Sequence, residues 1–393
     1  MEYKVLADLQ TPALVLDIDI MQANIDKMAA RAKELGIPLR PHLKTPKSVH
    51  IAQMLKRAGA QGFNVSTIKE AEYFHAAGID DLYYCVPFAP NKAARAVALV
   101  EADCLLTLMT DSLDGARAAI KAIEAIEAIE AIDGTVELDF TIEIDVDGYR
   151  SGAPLGSPDI VTAAKLFESS PRTRFAGIMS YAGASYGKTP DETRELTEQH
   201  LKALAATKAD LLAAGFGCDI VSIGSTPAVL HATNLDGATE ARAGIYTFQD
   251  LFQAGIGACT IDDIALSVVS SVISRQPKYN RFVIDAGGLA LSKDRSTQGK
   301  PYDALYGLVC DAKTGKQMGD LVVSLVSQEL GLVTSLSGLP VDLGAFPIGS
   351  LVRVLPNHAD MTAAAYESYA VVAGTDEIKH IWSRTNRWDE EEE

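Results

Sequence analysis

A lysine near the N-terminus, Lys44, is placed where a side-chain amine can do covalent chemistry. It lies in the segment Arg40-Pro41-His42-Leu43-Lys44-Thr45, which ends an apolar run. If this run is a strand of a parallel barrel, its end delivers the amine to the open face that carries functional groups in such barrels. Arg40 and His42 would tune the amine for condensation with an aldehyde cofactor. A solvated lysine at a strand end is the competing interpretation.

An arginine, Arg150, follows three acidic residues in the segment Glu143 to Gly152. Gly148 and Gly152 permit a tight loop there, and a loop after a barrel strand can direct Arg150 inward over the barrel mouth. A surface ion pair with one of the acidic neighbours is the alternative interpretation of this arginine.

Small and hydroxyl-bearing residues follow a later predicted strand, in Ile223-Gly224-Ser225-Thr226-Pro227. Small residues after the late strands of a barrel let backbone N–H groups approach a phosphate, and Ser225 and Thr226 add hydroxyl donors. The segment Arg242 to Tyr246 follows at some distance. An ordinary turn between a strand and a helix explains the same pattern without a ligand.

A histidine and an aspartate two residues apart, His358 and Asp360, are candidate metal ligands. If this segment is extended, both side chains lie on one face while Ala359 points away. Two protein ligands leave coordination positions open for water or substrate, as Lewis-acid catalysis requires. A surface pair without metal is the simpler alternative.

The composition favours a small molecule as the partner of the chain. It has 393 residues, 48% of them hydrophobic, and 52 acidic against 35 basic residues give a formal charge of −17. The dispersed basic residues argue against binding nucleic acid or an anionic membrane. No apolar run approaches the roughly 20 residues of a membrane span, and the N-terminus lacks a signal peptide, so we expect a cytoplasmic protein. Five separated cysteines indicate reduced thiols.

Short β-rich segments alternate with amphipathic helical patterns over roughly the first 250 residues, which predicts a (β/α)8 barrel of the TIM type; a doubly wound sheet is the competing fold. Short-spaced Val, Ser and Leu runs then predict a mostly antiparallel β domain. We expect domains at 1–258 and 259–393, with the first few residues able to pack on the β domain. The predicted barrel strands are Ala13 to Asp17, Leu39 to Lys44, Gly62 to Ser66, Leu82 to Val86, Cys104 to Met109, Glu137 to Asp145, Arg174 to Tyr181 and Ile220 to Ser225.

Two segments carry no predicted chemistry. The triplet repeat from Ala122 to Ile132 predicts a surface helix, because Ala, Glu and Ile at period three drift around a 3.6-residue helix. The acidic tail from Trp388 to Glu393 predicts a frayed end.

Taken together, these motifs resemble the D-threonine aldolase and D-serine dehydratase family, the metal-dependent branch of the alanine-racemase-like (fold type III) pyridoxal phosphate enzymes. The resemblance covers nearly the whole chain. Its motifs are Thr11 to Asp17, Arg40 to Lys47, Glu143 to Gly152, Ser185-Tyr186-Gly187, Gly224 to Pro227, Gly244 to Asp250, Asp285-Ala286-Gly287 and Pro356 to Asp360.

The resemblance implies roles for individual residues. Lys44 would form the Schiff base with pyridoxal 5'-phosphate, Arg150 would face the pyridine nitrogen, and His358 and Asp360 would hold the metal. Tyr181 occupies a place where relatives often have histidine, so it is a candidate proton-transfer group, although packing against the cofactor is the alternative. The remaining predicted cofactor surroundings are Tyr186, Ser225, Thr226, Gly244 and Ile245.

The resemblance also implies a lyase acting on D-3-hydroxy amino acids, assembled as a homodimer. The His-x-Asp pair is typical of the aldolase branch, whereas dehydratases typically have His-x-Cys. We therefore predict cleavage to glycine and an aldehyde, with Mn²⁺ or Mg²⁺ favoured and Zn²⁺ possible. The alternative is dehydration of D-serine or D-3-hydroxyaspartate to a 2-oxo acid and ammonia, which the dehydratase-like stretches Gly244 to Asp250 and Ile284 to Asp294 favour. An amino-acid racemase and a non-catalytic cofactor-binding protein are further alternatives.

Overall fold

The computed structural model describes residues 3–130 and 136–386. Two predicted features lie partly or wholly outside these ranges. They are the last two residues of the triplet repeat and the acidic tail with its predicted frayed end. The described chain divides into two compact units. We call Met28–Lys44 with Ile51–Gly244 the barrel unit, and the described parts of Met1–Lys27, Thr45–His50 and Ile245–Glu393 the β unit.

The described chain contains the following strands, in chain order: β1 (Ala13–Asp17), β2 (Leu39–Pro41), β3 (Phe63–Val65), β4 (Asp81–Pro87), β5 (Leu105–Thr110), β6 (Leu138–Asp145), β7 (Ala153–Pro154), β8 (Thr173–Tyr181), β9 (Ile220–Gly224), β10 (Glu240–Ala243), β11 (Leu266–Gln276), β12 (Arg281–Ile284), β13 (Leu308–Asp311), β14 (Gln317–Val326), β15 (Gly331–Ser335), β16 (Leu351–Leu355), β17 (Ser368–Val372) and β18 (His380–Ser383).

The α-helices of the same residues are α1 (Ile18–Glu34), α2 (Val49–Arg57), α3 (Ile68–His75), α4 (Ala93–Glu101), α5 (Leu113–Glu130), α6 (Pro158–Ser169), α7 (Pro190–Ala213), α8 (Thr226–His231), α9 (Leu251–Gly255), α10 (Gly288–Leu291) and α11 (Ala359–Ala363). Helix α5 includes the described part of the triplet repeat, as predicted. None of the described helices is long and apolar enough to cross a membrane.

The barrel unit is a parallel sheet of eight strands in the order β2-β10-β9-β8-β6-β5-β4-β3, with the short β7 beside β6. A parallel bridge between His42 and Asn64 joins the segments at the two ends of this order, so the sheet closes on itself. Helices follow most of the strands along the chain. The predicted (β/α)8 barrel is therefore confirmed, and the doubly wound alternative is excluded.

Two strand assignments differ from the prediction. The segment Ala13–Asp17, predicted as the first barrel strand, instead pairs with β11 and β17 of the β unit. An apolar run buried on both faces suits either sheet, so its composition could not decide between them. The eighth barrel strand is instead Glu240–Ala243. It was not predicted, because two of its four residues are charged and the segment contains no apolar run. The two compact units alternate along the chain, since the described part of Met1–Lys27 and the segment Thr45–His50 belong to the β unit together with the described residues from Ile245 onwards.

The β unit is built on antiparallel strands. Six of them pair in a closed ring, β11-β12-β15-β14-β13-β16, and β1, β17 and β18 extend the sheet from β11. Every neighbouring pair is antiparallel except β1 with β17. This confirms the predicted antiparallel β architecture that follows the barrel. The apolar core beneath the ring includes Leu308, Val322 and Leu355.

Candidate active site

Lys44 belongs to the barrel unit and lies in a turn, three residues beyond the end of β2. It is half-buried. Its backbone N–H donates to Nδ1 of His42 at 3.2 Å, and Nε2 of His42 lies 3.3 Å from Oγ of Ser66. Burial lowers the pKa of His42 well below its usual value, and the positive charges of Lys44, Arg242 and Arg150 lower it further. His42 is therefore neutral near pH 7, and three cations gather around it.

Arg150 lies where the sequence placed it, in the loop after β6. Its guanidinium carbon is 4.0 Å from the centre of the Tyr181 ring, and Nη2 is 3.6 Å from Oε1 of Glu143. Burial raises the pKa of Glu143, whose other oxygen accepts a hydrogen bond from Ser151 at 2.6 Å. Because 37% of the Arg150 side chain is exposed, part of the guanidinium remains accessible to a ligand.

Three tyrosines form an aromatic group beside Arg150. The ring centre of Tyr181 is 6.5 Å from that of Tyr186 and 6.0 Å from that of Tyr149. Tyr181 ends β8, and Tyr186 lies in the short 3-10 helix Gly183–Gly187 that follows it. The structure thus brings together Arg150, Tyr181 and Tyr186 of the predicted set, and it adds Tyr149. The proton-transfer role of Tyr181 stays a prediction.

The turn after β9 carries the predicted phosphate-binding hydroxyls. Oγ of Ser225 accepts from the N–H of Ala228 at 3.1 Å, which caps α8, and lies 2.8 Å from Oγ of Ser185. Thr226 is fully buried, and its hydroxyl has no hydrogen-bond partner. Buried polar atoms normally have a partner. A ligand oxygen at this hydroxyl would satisfy it.

The two other predicted cofactor-surrounding residues flank the division between the units. Gly244 is buried and directly follows β10 in the barrel unit. Ile245 is buried in the β unit, where it begins the 3-10 helix Ile245–Thr247. Gly224, in contrast, is required for packing between strands, because a Cβ there would lie 2.3 Å from the carbonyl oxygen of Arg242.

A buried polar network that the sequence did not reveal crosses the inside of the barrel. Arg242 donates to Oγ of Ser222 and, at 2.7 Å, to the carbonyl oxygen of Ser180. Glu240 accepts from Oγ of Ser222 at 2.6 Å and from Nε of Arg40 at 2.7 Å. The period-two spacing of Glu240 and Arg242 puts both on one face of β10. That signal could have found them had this segment been recognised as a strand.

The predicted metal pair lies in the β unit at the start of α11. His358 is extended, with φ −134° and ψ 112°, but Asp360 is in the first helical turn, so the predicted extended conformation is wrong beyond His358. Both residues are half-buried, and Oδ1 of Asp360 is buried without a hydrogen-bond partner. Across residues 3–130 and 136–386, no group of three or more His, Cys, Asp and Glu side chains is arranged to hold a metal ion.

Asp250 is a second acidic residue beside this pair, and the sequence did not single it out. It is fully buried, and its two oxygens accept from the N–H groups of Gln253, at 2.8 Å, and of Ala359, at 3.0 Å. Satisfying the Ala359 amide helps α11 begin there, which explains why the segment is not extended. Burial raises the pKa of Asp250 to about 6; His358 opposes this shift and Asp360 adds to it.

Two family models match successive stretches of the chain. The model of the alanine racemase N-terminal domain matches residues 16–251, and that of a serine dehydratase domain matches residues 265–372. The chain is 39% identical to D-threo-3-hydroxyaspartate dehydratase of Delftia sp. (strain HT23), over 98% of this chain and 99% of that protein. It is 30% identical to D-serine dehydratase of Dictyostelium discoideum, over 97% and 98%, and 28% identical to D-threonine aldolase of Arthrobacter sp, over 97% and 94%.

Solved structures agree with these matches. The structure of D-threo-3-hydroxyaspartate dehydratase from Delftia sp. HT23 superposes with a TM-score of 0.91 at 37% identity, over 98% of this chain and 100% of that one. A cysteine-to-alanine mutant of D-threo-3-hydroxyaspartate dehydratase, with the same TM-score, is described as a metal-free form, which implies that this dehydratase binds a metal. The chain therefore belongs to the alanine-racemase-like (fold type III) pyridoxal phosphate enzymes, in the branch of lyases that includes D-threo-3-hydroxyaspartate dehydratase, D-serine dehydratase and D-threonine aldolase.

Proposed function

We propose that this protein is a pyridoxal phosphate- and metal-dependent dehydratase of D-3-hydroxy amino acids, with D-threo-3-hydroxyaspartate and D-serine as the first substrates to test. The observation that carries this proposal is the 39% identity to D-threo-3-hydroxyaspartate dehydratase over 98% of the chain, against 28% to D-threonine aldolase. It replaces the preference for the aldolase that the His-x-Asp pair gave on sequence alone.

The barrel unit has the groups that pyridoxal phosphate needs. Lys44 supplies an amine, and the partnerless buried hydroxyl of Thr226 offers a donor to a phosphate oxygen. Arg150, which is partly exposed beside Tyr181, offers a cation for the pyridine nitrogen. When bound, the cofactor acts as an electron sink for negative charge at the substrate Cα.

The residues around Lys44 support a proton transfer. In the proposed reaction the Nζ amine of Lys44 removes the proton from the substrate Cα. Neutral His42 accepts a hydrogen bond from the Lys44 backbone, and this fixes the turn that carries the amine. A guanidinium at Arg150 disfavours protonation of the pyridine nitrogen and so limits how much charge moves into the ring. Tyr181 would hold the cofactor or transfer a second proton.

The β unit has a two-residue donor set for the ion. The imidazole of His358 and the unsatisfied Oδ1 of Asp360 suit a divalent cation, and a carboxylate favours Mn²⁺ or Mg²⁺ while Zn²⁺ remains possible. A metal held by only these two side chains would have open positions for the substrate hydroxyl and would act on it as a Lewis acid. Loss of the Cα proton and of the hydroxyl removes one water and leaves an enamine, and hydrolysis of the tautomeric imine consumes one water and gives the 2-oxo acid and ammonia.

Asp360 also favours a second candidate function, the D-threonine aldolase type of cleavage. The His-x-Asp pattern is typical of the aldolase branch, and in that reaction the substrate hydroxyl loses its proton and the Cα–Cβ bond breaks. We further propose a homodimer acting on a small D-amino acid, as the resemblance implies, and a cytoplasmic protein that binds neither nucleic acid nor membrane, in line with the composition.

Product analysis separates these candidates. Protein supplied with pyridoxal phosphate and Mn²⁺ is incubated with D-threo-3-hydroxyaspartate, D-serine and D-threonine, and the products are identified by chiral chromatography with mass spectrometry. A dehydratase gives ammonia with oxaloacetate, pyruvate or 2-oxobutanoate, respectively, and an aldolase gives glycine with an aldehyde. Racemisation that survives EDTA indicates a racemase, and turnover of L-isomers alone contradicts the proposal.

A further inference from the structure

One carboxylate, that of Asp147, is hydrogen-bonded by two separate loops at the mouth of the barrel. Its Oδ1 accepts from the N–H of Tyr149 at 3.1 Å, and its Oδ2 accepts from the N–H of Ala184 at 3.0 Å. The first loop carries Arg150, and the second carries Tyr186. Asp147 therefore connects two segments that each present a predicted cofactor neighbour.

A buried histidine contacts this carboxylate. His200 of α7 is fully buried, and its Nε2 lies 3.4 Å from Oδ2 of Asp147. Its Nδ1 lies 3.0 Å from Oγ of Ser180 in β8. Only 6% of the side chain of Asp147 is exposed, and His200 connects it to α7 and, through Ser180, to β8.

The charge of Asp147 is maintained despite its burial. Burial alone would raise the pKa of Asp147, but the close contact with His200 and the hydrogen bonds from the amides of Ala184 and Tyr149 outweigh it and lower the pKa. Hydrogen bonds to an ionised acceptor are stronger than neutral ones. The carboxylate is thus anionic near pH 7 and binds both loops in that state.

The two loops also touch directly. A Cβ at Gly183 would lie 2.2 Å from Cδ1 of Tyr149, so the ring of the first loop lies against the backbone of the second. Tyr149 in turn contacts Tyr181 edge to face. This contact is independent of the hydrogen bonds to Asp147, and it leaves little room for one loop to move without the other.

We propose that Asp147, in contact with His200, is a positioning residue that fixes the loop of Arg150 and the loop of Tyr186 relative to each other. The inference rests on the proposed function in so far as these loops hold the cofactor. Asp145 provides a matched comparison, because its carboxylate accepts a hydrogen bond within the first loop, from the N–H of Gly148 at 2.7 Å.

Hydrogen exchange of the cofactor-free protein, followed by mass spectrometry, tests the proposal. Asp147→Ala should accelerate exchange by about tenfold or more in peptides covering both residues 146–152 and residues 182–188, since each loop loses a charge-assisted hydrogen bond. Asp145→Ala should accelerate exchange in the first peptide alone. Asp147→Asn, which keeps one oxygen acceptor, serves if the alanine variant does not fold, and should accelerate exchange mainly in residues 182–188.

Wild-type exchange in residues 182–188 of folded Asp147→Ala or Asp147→Asn protein would overturn the proposal. Because this readout needs no cofactor, it is independent of the proposed function. Titration with pyridoxal phosphate then provides the second measurement: Asp147→Ala should bind it about tenfold more weakly than Asp145→Ala. A wild-type protein that binds no pyridoxal phosphate would contradict the proposed function while leaving the exchange result in force.

Discussion

The two candidate ligand sets differ in how many segments of the chain supply them. In the barrel unit, Lys44 and Arg150 come from separate strand ends and share an environment with the buried Arg242. In the β unit, His358 and Asp360 come from one short segment, and one oxygen of Asp360 is left unsatisfied. The comparison indicates that the tertiary fold assembles the barrel set from distant segments, whereas one short segment supplies both metal-pair residues; each set still has a buried oxygen without a partner, at Thr226 and at Asp360.

The largest expected effect is the loss of turnover when one residue of either set is replaced by alanine. Lys44→Ala and His358→Ala should each lower turnover by at least about a thousandfold, because each removes a group proposed to act on the reacting atoms. Only Lys44→Ala should also remove the yellow colour of the bound cofactor. Absorbance spectra and steady-state rates of the purified variants provide the check. A His358→Ala protein without colour would show that the two sets are not independent.

The metal pair can be examined further through the chemistry of its second ligand. Asp360→Cys replaces a carboxylate by a thiolate, which prefers Zn²⁺, so we expect the ion preference to shift from Mn²⁺ or Mg²⁺ towards Zn²⁺ by about tenfold or more. The measurement is activity after stripping with EDTA and addition of each ion. Asp360→Ala is the control and should respond weakly to every ion. An unchanged preference in the cysteine variant would argue against Asp360 as a ligand.

Acid stability tests whether His42 is buried as a neutral imidazole, with the nearby cations as a smaller contribution. Its pKa in the folded state is lowered, so below the usual histidine pKa the unfolded chain binds a proton that the folded chain does not. Stability should therefore fall with decreasing pH, by up to about 1.4 kcal/mol per pH unit below about pH 6.5 from this residue. Urea unfolding of the cofactor-free protein at several pH values measures it. His42→Asn should reduce this acid sensitivity, and equal slopes in both proteins would refute the assignment.

The smallest effect concerns the buried hydroxyl of Thr226. Thr226→Val keeps the shape but removes the hydroxyl, so affinity for pyridoxal phosphate should fall by about 1 kcal/mol while the cofactor-free protein keeps or gains stability. Ser225→Ala is the matched control. It should destabilise the cofactor-free protein by about 1 kcal/mol through loss of the α8 cap. Calorimetric binding and thermal unfolding distinguish the two, and unchanged affinity in Thr226→Val would exclude this hydroxyl from the phosphate site.

The sequence predicted the features that depend on neighbouring residues, and it missed those that depend on contacts between distant residues. Apolar runs predicted the barrel and most of its strands, because burial on both faces selects Val, Ile and Leu. They could not place Ala13–Asp17 in the correct sheet, since strand pairing is decided by partners distant in the chain. They also missed Glu240–Ala243, whose charges are tolerated inside the barrel only because Arg40 and Ser222 satisfy Glu240 while Ser222 and Ser180 satisfy Arg242.

The candidate site shows the same limit. Lys44, Arg150 and Thr226 lie in short motifs that the sequence displays directly. Asp250 was not singled out, because its contact with Ala359 joins residues more than a hundred positions apart. The conformation at Asp360 was mispredicted for the same reason, since the helix begins where Asp250 satisfies a backbone amide.

The account depends most directly on a covalent link between Lys44 and the cofactor. Borohydride reduction of the protein loaded with pyridoxal phosphate, followed by proteolysis and peptide mapping, should place a pyridoxyl group on Lys44 and leave Lys47 unlabelled. Absence of a label, or a label on any other lysine, would contradict the account.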